Sequence, residues 1–179
     1  MIKKIALGLA AAIVIVLVVA SFQSDRMQVT RSAVIPAPPA AVFGVVNDFS
    51  RWLAWSPWAD VDPAMKSRLE GPTKGVGAQF HWEGNAACGA GVSHLTESRE
   101  NELVAMRIDM TRPMEGSTEV RFTFAPEANG TRVTWSMEAT KPFLGKVMSL
   151  FMDCEKQCGD DFDKGLANLA KVVTETPKS

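Results

Sequence analysis

The chain has 179 residues, a formal net charge of −1 and 46% apolar residues. That length accommodates one domain of ordinary globular composition, and a charge so close to neutral argues against the basic footprint of a nucleic-acid binder. Its three cysteines, Cys88, Cys154 and Cys158, do not make a complete disulfide framework.

Residues 1–22 read MIKKIALGLAAAIVIVLVVASF. Two lysines precede an uncharged run from Ile5 to Phe22. Its length suits a short membrane-spanning helix or the core of a signal peptide. Val18-Val19-Ala20 keeps cleavage open, but the run exceeds the usual signal core, so an uncleaved anchor is the preferred reading. Lys3 and Lys4 would stay in the cytoplasm. The rest of the chain would then lie on the periplasmic or extracytoplasmic side of the inner (cytoplasmic) membrane, or be secreted to the periplasm if cleaved. Residues 23–26 form a linker, 27–175 a folded domain and 176–179 a tail. Without residues 1–20 the balance is 17 basic to 20 acidic residues.

Met27–Ile35, rich in β-branched residues, predicts a first strand, ended by Pro36-Ala37-Pro38-Pro39. Pro39 then opens a helix to Val46, since a missing N–H costs little at that position. A short helix follows over Asp48–Leu53. Trp52, Trp55 and Trp58 fall in this region, either as core beneath a loop or as the mouth of a pocket. After a section punctuated by proline and glycine, strands are expected at Ala78–Glu83, Gly89–Ser98, Leu103–Met110, Ser117–Phe124 and Thr131–Glu138. The polar run 99–102 and Asn129-Gly130 supply hairpin turns. Strands at this spacing without intervening helices imply an antiparallel meander.

The strands alternate. Phe80 and Trp82, Val104 through Met110 in steps of two, Val120, Phe122 and Phe124, and Val133, Trp135 and Met137 share one apolar face. From Phe143 to Val173, apolar residues recur in steps of three and four through Val147, Phe151, Cys154, Cys158, Phe162, Leu166 and Leu169. This predicts a single amphipathic helix about 45 Å long, lying across the apolar face. Gly159 and Gly165 inside it mark close packing or a slight bend. The fold class is α+β: a curved antiparallel sheet around a long C-terminal helix, two short helices after the first strand, and an N-terminal transmembrane helix.

This order resembles the helix-grip fold of the START-like, or SRPBCC, superfamily (polyketide cyclase/dehydrase and lipid transport, Bet v 1-like), in a bacterial membrane-anchored branch. The resemblance is carried by IPAPPAAVFGVVNDFSRWLAWSPW (35–58), DP at 62–63, GP at 71–72, GVGAQFHWEGN (75–85), TES (96–98), GTRVTWSM (130–137) and GDDFDKGLANL (159–169). It implies a hydrophobic small molecule or lipid held in a cavity between sheet and helix.

Catalytic motifs are sparse. There is no G-x-S-x-G elbow and no H-E-x-x-H. Gly75-x-Gly77 and Gly89-x-Gly91 precede strands, so they read as a turn and as close backbone approach. Cys154 and Cys158 lack the companions of a metal, redox or haem site and read as part of the apolar stripe. No metal or cofactor is expected. His94 is the one weak catalytic candidate, provided that it faces inward. The expected ligand contacts are Phe80, Trp82, Met106, Met110, Phe122, Trp135 and Met137 from the sheet, with Met148, Phe151 and Met152 from the helix. Three functions fit: a membrane-tethered binding domain for an apolar ligand, a cyclase- or dehydratase-like enzyme using an inward polar group, and a closed-core envelope interaction module. The oligomeric state is not legible.

Overall fold

The computed structural model describes residues 2–175; the expected tail at 176–179 lies outside them. Helix α1 (Ile2–Ser21) leads into strand β1 (Arg26–Ile35), followed by α2 (Pro39–Val46), a 3-10 turn (Phe49–Arg51) and α3 (Trp52–Trp55). Strands β2 (Lys66–Glu70), β3 (Gln79–Glu83), β4 (Ala90–Arg99), β5 (Leu103–Arg112), β6 (Gly116–Glu127) and β7 (Gly130–Thr140) come next, then α4 (Phe143–Met148) and α5 (Cys154–Glu175).

All seven strands form one antiparallel sheet in the order β1-β7-β6-β5-β4-β3-β2. Alternation sets the register. Val29, Val120, Phe122, Val133 and Trp135 are buried on the inner face, while Arg107, Glu119 and Arg132 lie outside. A bulge between Leu95 and Glu97 breaks the β4–β5 ladder, a feature that bends a strand. Glu127 pairs with Gly130, so the loop before β7 is Ala128-Asn129, one residue earlier than the dipeptide suggests.

Strand β2 is absent from the expected elements. All five of its residues are exposed, so it contributes backbone pairing to the sheet edge and no apolar alternation.

The expected single helix at 143–173 is two. At the C-terminal end of α4 the Ser149 hydroxyl donates to the Gly145 carbonyl at 2.8 Å. Asp153 then accepts the Lys156 N–H at 2.9 Å, which is an N-cap. Side chains that bond locally in this way compete with the continuing helix, and a carboxylate at the cap favours a fresh start. The stripe persists beyond the break: Phe162, Leu166 and Leu169 are buried in α5.

α5 lies closest to β1 and α3. Its two interior glycines admit neighbours. A Cβ at Gly165 would lie 2.6 Å from Trp135 Cζ3, and one at Gly159 would strike the Arg31 guanidinium. Close packing, one of the two expected explanations, is therefore what these glycines serve. Arg31 crosses from β1 to pair with Asp163 at 3.1 Å.

Beyond Lys3 and Lys4, helix α1 is apolar as far as Ala20 and is almost wholly exposed. By length and composition it can span a membrane or serve as a signal sequence.

Candidate functional site

Between the inner face of the sheet and α5 lies a cavity of about 280 Å³. Its sheet wall runs from Phe80 and Trp82 on β3, through Ser93, Ile108 and Met110, to Trp135 and Met137 on β7. Cys158 and Phe162 form the helix wall, Trp52 comes from α3, and Ser56, Trp58 and Met65 come from the segment after it. Trp135 and Phe162 stack at 4.0 Å between centroids, and Trp52 meets Trp55 edge-on at 4.6 Å. Trp55 is fully buried core, whereas Trp52 and Trp58 line the cavity, so the tryptophan-rich segment serves both roles considered for it.

The rim is built from paired loops. Asp62 Oδ2 accepts the Asn85 N–H at 2.7 Å, joining the segment after α3 to the β3–β4 connection. Trp82 Nε1 donates to the Cys88 carbonyl at 3.2 Å and fixes the indole orientation. Gly91 leaves room for that ring: a Cβ there would be 2.7 Å from Trp82 Cη2. This is the close backbone approach read from the Gly89-x-Gly91 pair.

A model of the family described as polyketide cyclase/dehydrase and lipid transport matches residues 26–174. The chain belongs to that family. No curated protein matches it. Among solved structures, protein CV1439 from Chromobacterium violaceum is 16% identical, with a TM-score of 0.61 over 82% of this chain and 96% of that one. Protein MLL2253 from Mesorhizobium loti is 14% identical, with a TM-score of 0.62 over 84% and 98%. The di-domain ARO/CYC StfQ from the steffimycin biosynthetic pathway is 11% identical, with a TM-score of 0.59 over 84% of this chain and 51% of that one. Identities this low establish the shared helix-grip fold, and the site must be argued from its own residues.

In this family member, Phe80, Trp82, Met110, Trp135 and Met137 reach the cavity as the alternation requires. Met106 and Phe122 point the same way but are fully buried in the core. Met148, Phe151 and Met152 do not reach the cavity. They are 40%, 73% and 50% exposed, because the break before Asp153 turns the segment away from the sheet. Ser56, Ser93 and Thr118 line the cavity and were not expected there. Ser56 and Ser93 are buried; the strand parity of Ser93 with Leu95 was the available signal.

His94 faces outward, opposite in parity to the buried Ser93 and Leu95. Its Nε2 lies 3.3 Å from Asp109 Oδ2. Asp109 in turn accepts the Ser117 hydroxyl at 2.5 Å and Arg107 Nε at 3.0 Å, contacts that hold its carboxyl below its ordinary range. His94 thus belongs to an outer-face polar cluster and does not face the cavity as an inward acid or base would.

Among the described residues, none that lines the cavity carries a carboxylate, imidazole, amine or guanidinium. Its titratable groups are the thiols of Cys88 and Cys158. Burial, then the nearby charge of Asp161, pushes Cys158 up to about 11. Burial likewise raises Cys88, with Asp62 and Asp161 adding to it. Burial is also what raises the Asp161 carboxyl. Among the described residues no group of three or more His, Cys, Asp or Glu is placed to hold a metal ion. Two lining residues carry buried polar atoms with no hydrogen-bond partner among the described residues: Ser56 Oγ and Trp135 Nε1.

Proposed function

We propose that residues 27–175 form a binding domain for a largely apolar small molecule or lipid that carries one polar group, tethered to a membrane by residues 5–22 through the linker 23–26. The observation that carries this reading is the cavity itself: aromatic and thioether walls, with two unpartnered polar atoms on residues that line it. Lost hydrogen bonds of this kind cost about 1–3 kcal/mol each, and a ligand oxygen that accepts from Trp135 Nε1 or exchanges a bond with Ser56 would recover part of that. Phe80, Trp82, Met110, Trp135 and Met137 supply the apolar contact. A volume of about 280 Å³ suits a fused-ring molecule or a short acyl chain more than a whole two-chain phospholipid.

The same lining favours binding over acid–base catalysis. A cyclase or dehydratase needs a group that exchanges protons near neutral pH, and the thiols here are held protonated. An interior cavity also weighs against a closed-core interaction module. The tether would hold the site in the region where apolar ligands concentrate.

The test uses the full-length chain purified in a mild detergent and examined by native mass spectrometry, before and after exposure to lipid extract and to a panel of fused-ring polyketides and fatty acids. A retained adduct of a few hundred daltons, lost in a variant that fills the cavity such as Ser93→Phe, supports the reading. A chain that neither retains nor takes up any apolar molecule removes it.

A further inference from the structure

Phe143, Leu144, Met148, Phe151 and Met152 lie within ten residues of one another and are all at least 40% exposed. Helix α4 buries none of its residues. Single exposed apolar residues are common on proteins, but five large ones within ten residues of chain call for a contact surface.

The position of the group identifies what covers it. α4 packs against α1. Within α1 the least exposed side chains are Val16 and Ala20, one turn apart on a single face. The contact therefore falls on the last two turns of that helix. α1 has 20 residues, about 30 Å at 1.5 Å per residue, which matches the hydrocarbon thickness of a bilayer. An element packed on its final turns lies where the acyl chains meet the headgroups. Amphipathic segments settle at that depth with their apolar side chains buried. Phe22, which follows α1 directly, is 87% exposed. Polar groups border the segment on the domain side: Lys141 Nζ pairs with Glu155 at 3.3 Å, and Gln23 shares a hollow with Phe151 and Met152.

We propose that the segment from Phe143 to Met152 is a second membrane contact, resting in the leaflet where α1 ends and seating the domain against the phospholipid acyl boundary. The proposal rests on the reading of α1 as a retained span. Two contacts restrain the domain where the short linker alone would let it swing.

Photo-crosslinking tests this in the full-length chain, reconstituted in nanodiscs of phosphatidylethanolamine and phosphatidylglycerol. A benzophenone amino acid replaces Phe151, and in separate variants Met148 or Asn129. Phe151 and Met148 are exposed, so the fold does not depend on them. Asn129 lies in the turn at the far end of the eleven-residue β7, a strand roughly 35 Å long at 3.3 Å per residue whose other end leads into α4. The expected result is lipid adducts at 151 and 148 at least tenfold above those at 129. Equal yields at 151 and 129, or crosslinking at 151 to a second copy of the chain in place of lipid, overturn the proposal. Alkaline extraction of cell membranes carrying the native chain separates it from the reading beneath it. Release of the chain removes both the anchor and the second contact. Retention without lipid adducts at 151 leaves the anchor and removes the second contact alone.

Discussion

The indole of Trp135 and the ring of Phe162 lie face to face, with centroids 4.0 Å apart and planes 10° from parallel. Trp135 belongs to the last strand and Phe162 to the last helix, so this stack joins the two layers of the domain and forms one corner of the cavity. Both residues are 1% exposed. Phe162→Ala is expected to cost about 3–5 kcal/mol, the usual loss for a large aromatic truncated in a core. Chemical denaturation of the detergent-solubilised chain checks it; a cost under about 1 kcal/mol would mean that the layers are held elsewhere.

The glycines of the helices should respond differently to alanine. At Gly165 the new methyl would meet the rigid indole of Trp135 at 2.6 Å and Pro57 Cδ at 3.2 Å. The expected loss of about 1–3 kcal/mol outweighs the roughly 1 kcal/mol gain in helix propensity. At Gly159 the obstacle is the end of Arg31, a flexible side chain that can swing aside, so the change there should be within about 1 kcal/mol of zero. At Gly44 in α2 an added Cβ would have no atom of the described residues beyond its own turn of helix within 4 Å, and Gly44→Ala should stabilise by about 0.5–1 kcal/mol. The rank order of the three melting temperatures is the measurement.

Removing the orphaned hydroxyl separates stability from binding. Ser56→Ala deletes a buried polar atom that has no partner among the described residues, so the empty protein should be no less stable and gain up to about 1–2 kcal/mol. Loading of a polar-headed apolar ligand should weaken in the same variant. A destabilised Ser56→Ala protein would show that the hydroxyl already has a partner.

Cys158 gives a pH-dependent reporter inside the cavity. Its folded pKa of about 11 lies above the ordinary thiol value because burial disfavours the thiolate. The associated stability is complete below that ordinary value and is lost as pH rises towards 11. Maleimide labelling of Cys158, followed by peptide mass spectrometry, should accelerate about tenfold per pH unit from 7 to 10, since the thiolate is the reacting form. A bound ligand should protect it. Labelling that is flat above pH 8.5, or indifferent to ligand, would contradict the buried placement.

Much of this architecture is legible in the sequence because side-chain period and burial coincide. Val104 to Met110 and Val133 to Met137 alternate without interruption, and the structure keeps their parity. Lys66–Glu70 escapes detection for the opposite reason: an edge strand with no buried side chain leaves no apolar rhythm to read. The helix break escapes because the apolar stripe continues through it, while the signals that interrupt it, Ser149 and Asp153, are single polar residues whose effect depends on local hydrogen bonds. Of the expected cavity residues, those on the sheet fell into place by parity or just behind the lining. Met148, Phe151 and Met152 did not, because their expected position assumed an unbroken helix. His94 stands between Ser93 and Leu95, and its outward face rests on the inward parity of Leu95 alone, a single apolar residue in a mostly polar stretch.

The two rims of the sheet are defended by different means. β2 presents Lys66, Arg68 and Glu70 along a short, fully exposed margin, a charge pattern that discourages a neighbouring strand from adding on. β1 is ten residues long and richer in apolar side chains, so it would be the more dangerous margin. There α5 draws close, and Arg31 reaches over Gly159 to Asp163. The helix that walls the cavity is thus also the guard against open-ended polymerisation of the sheet. Damage to the junction of α5 with β1 should therefore show itself as aggregation before it shows itself as loss of ligand.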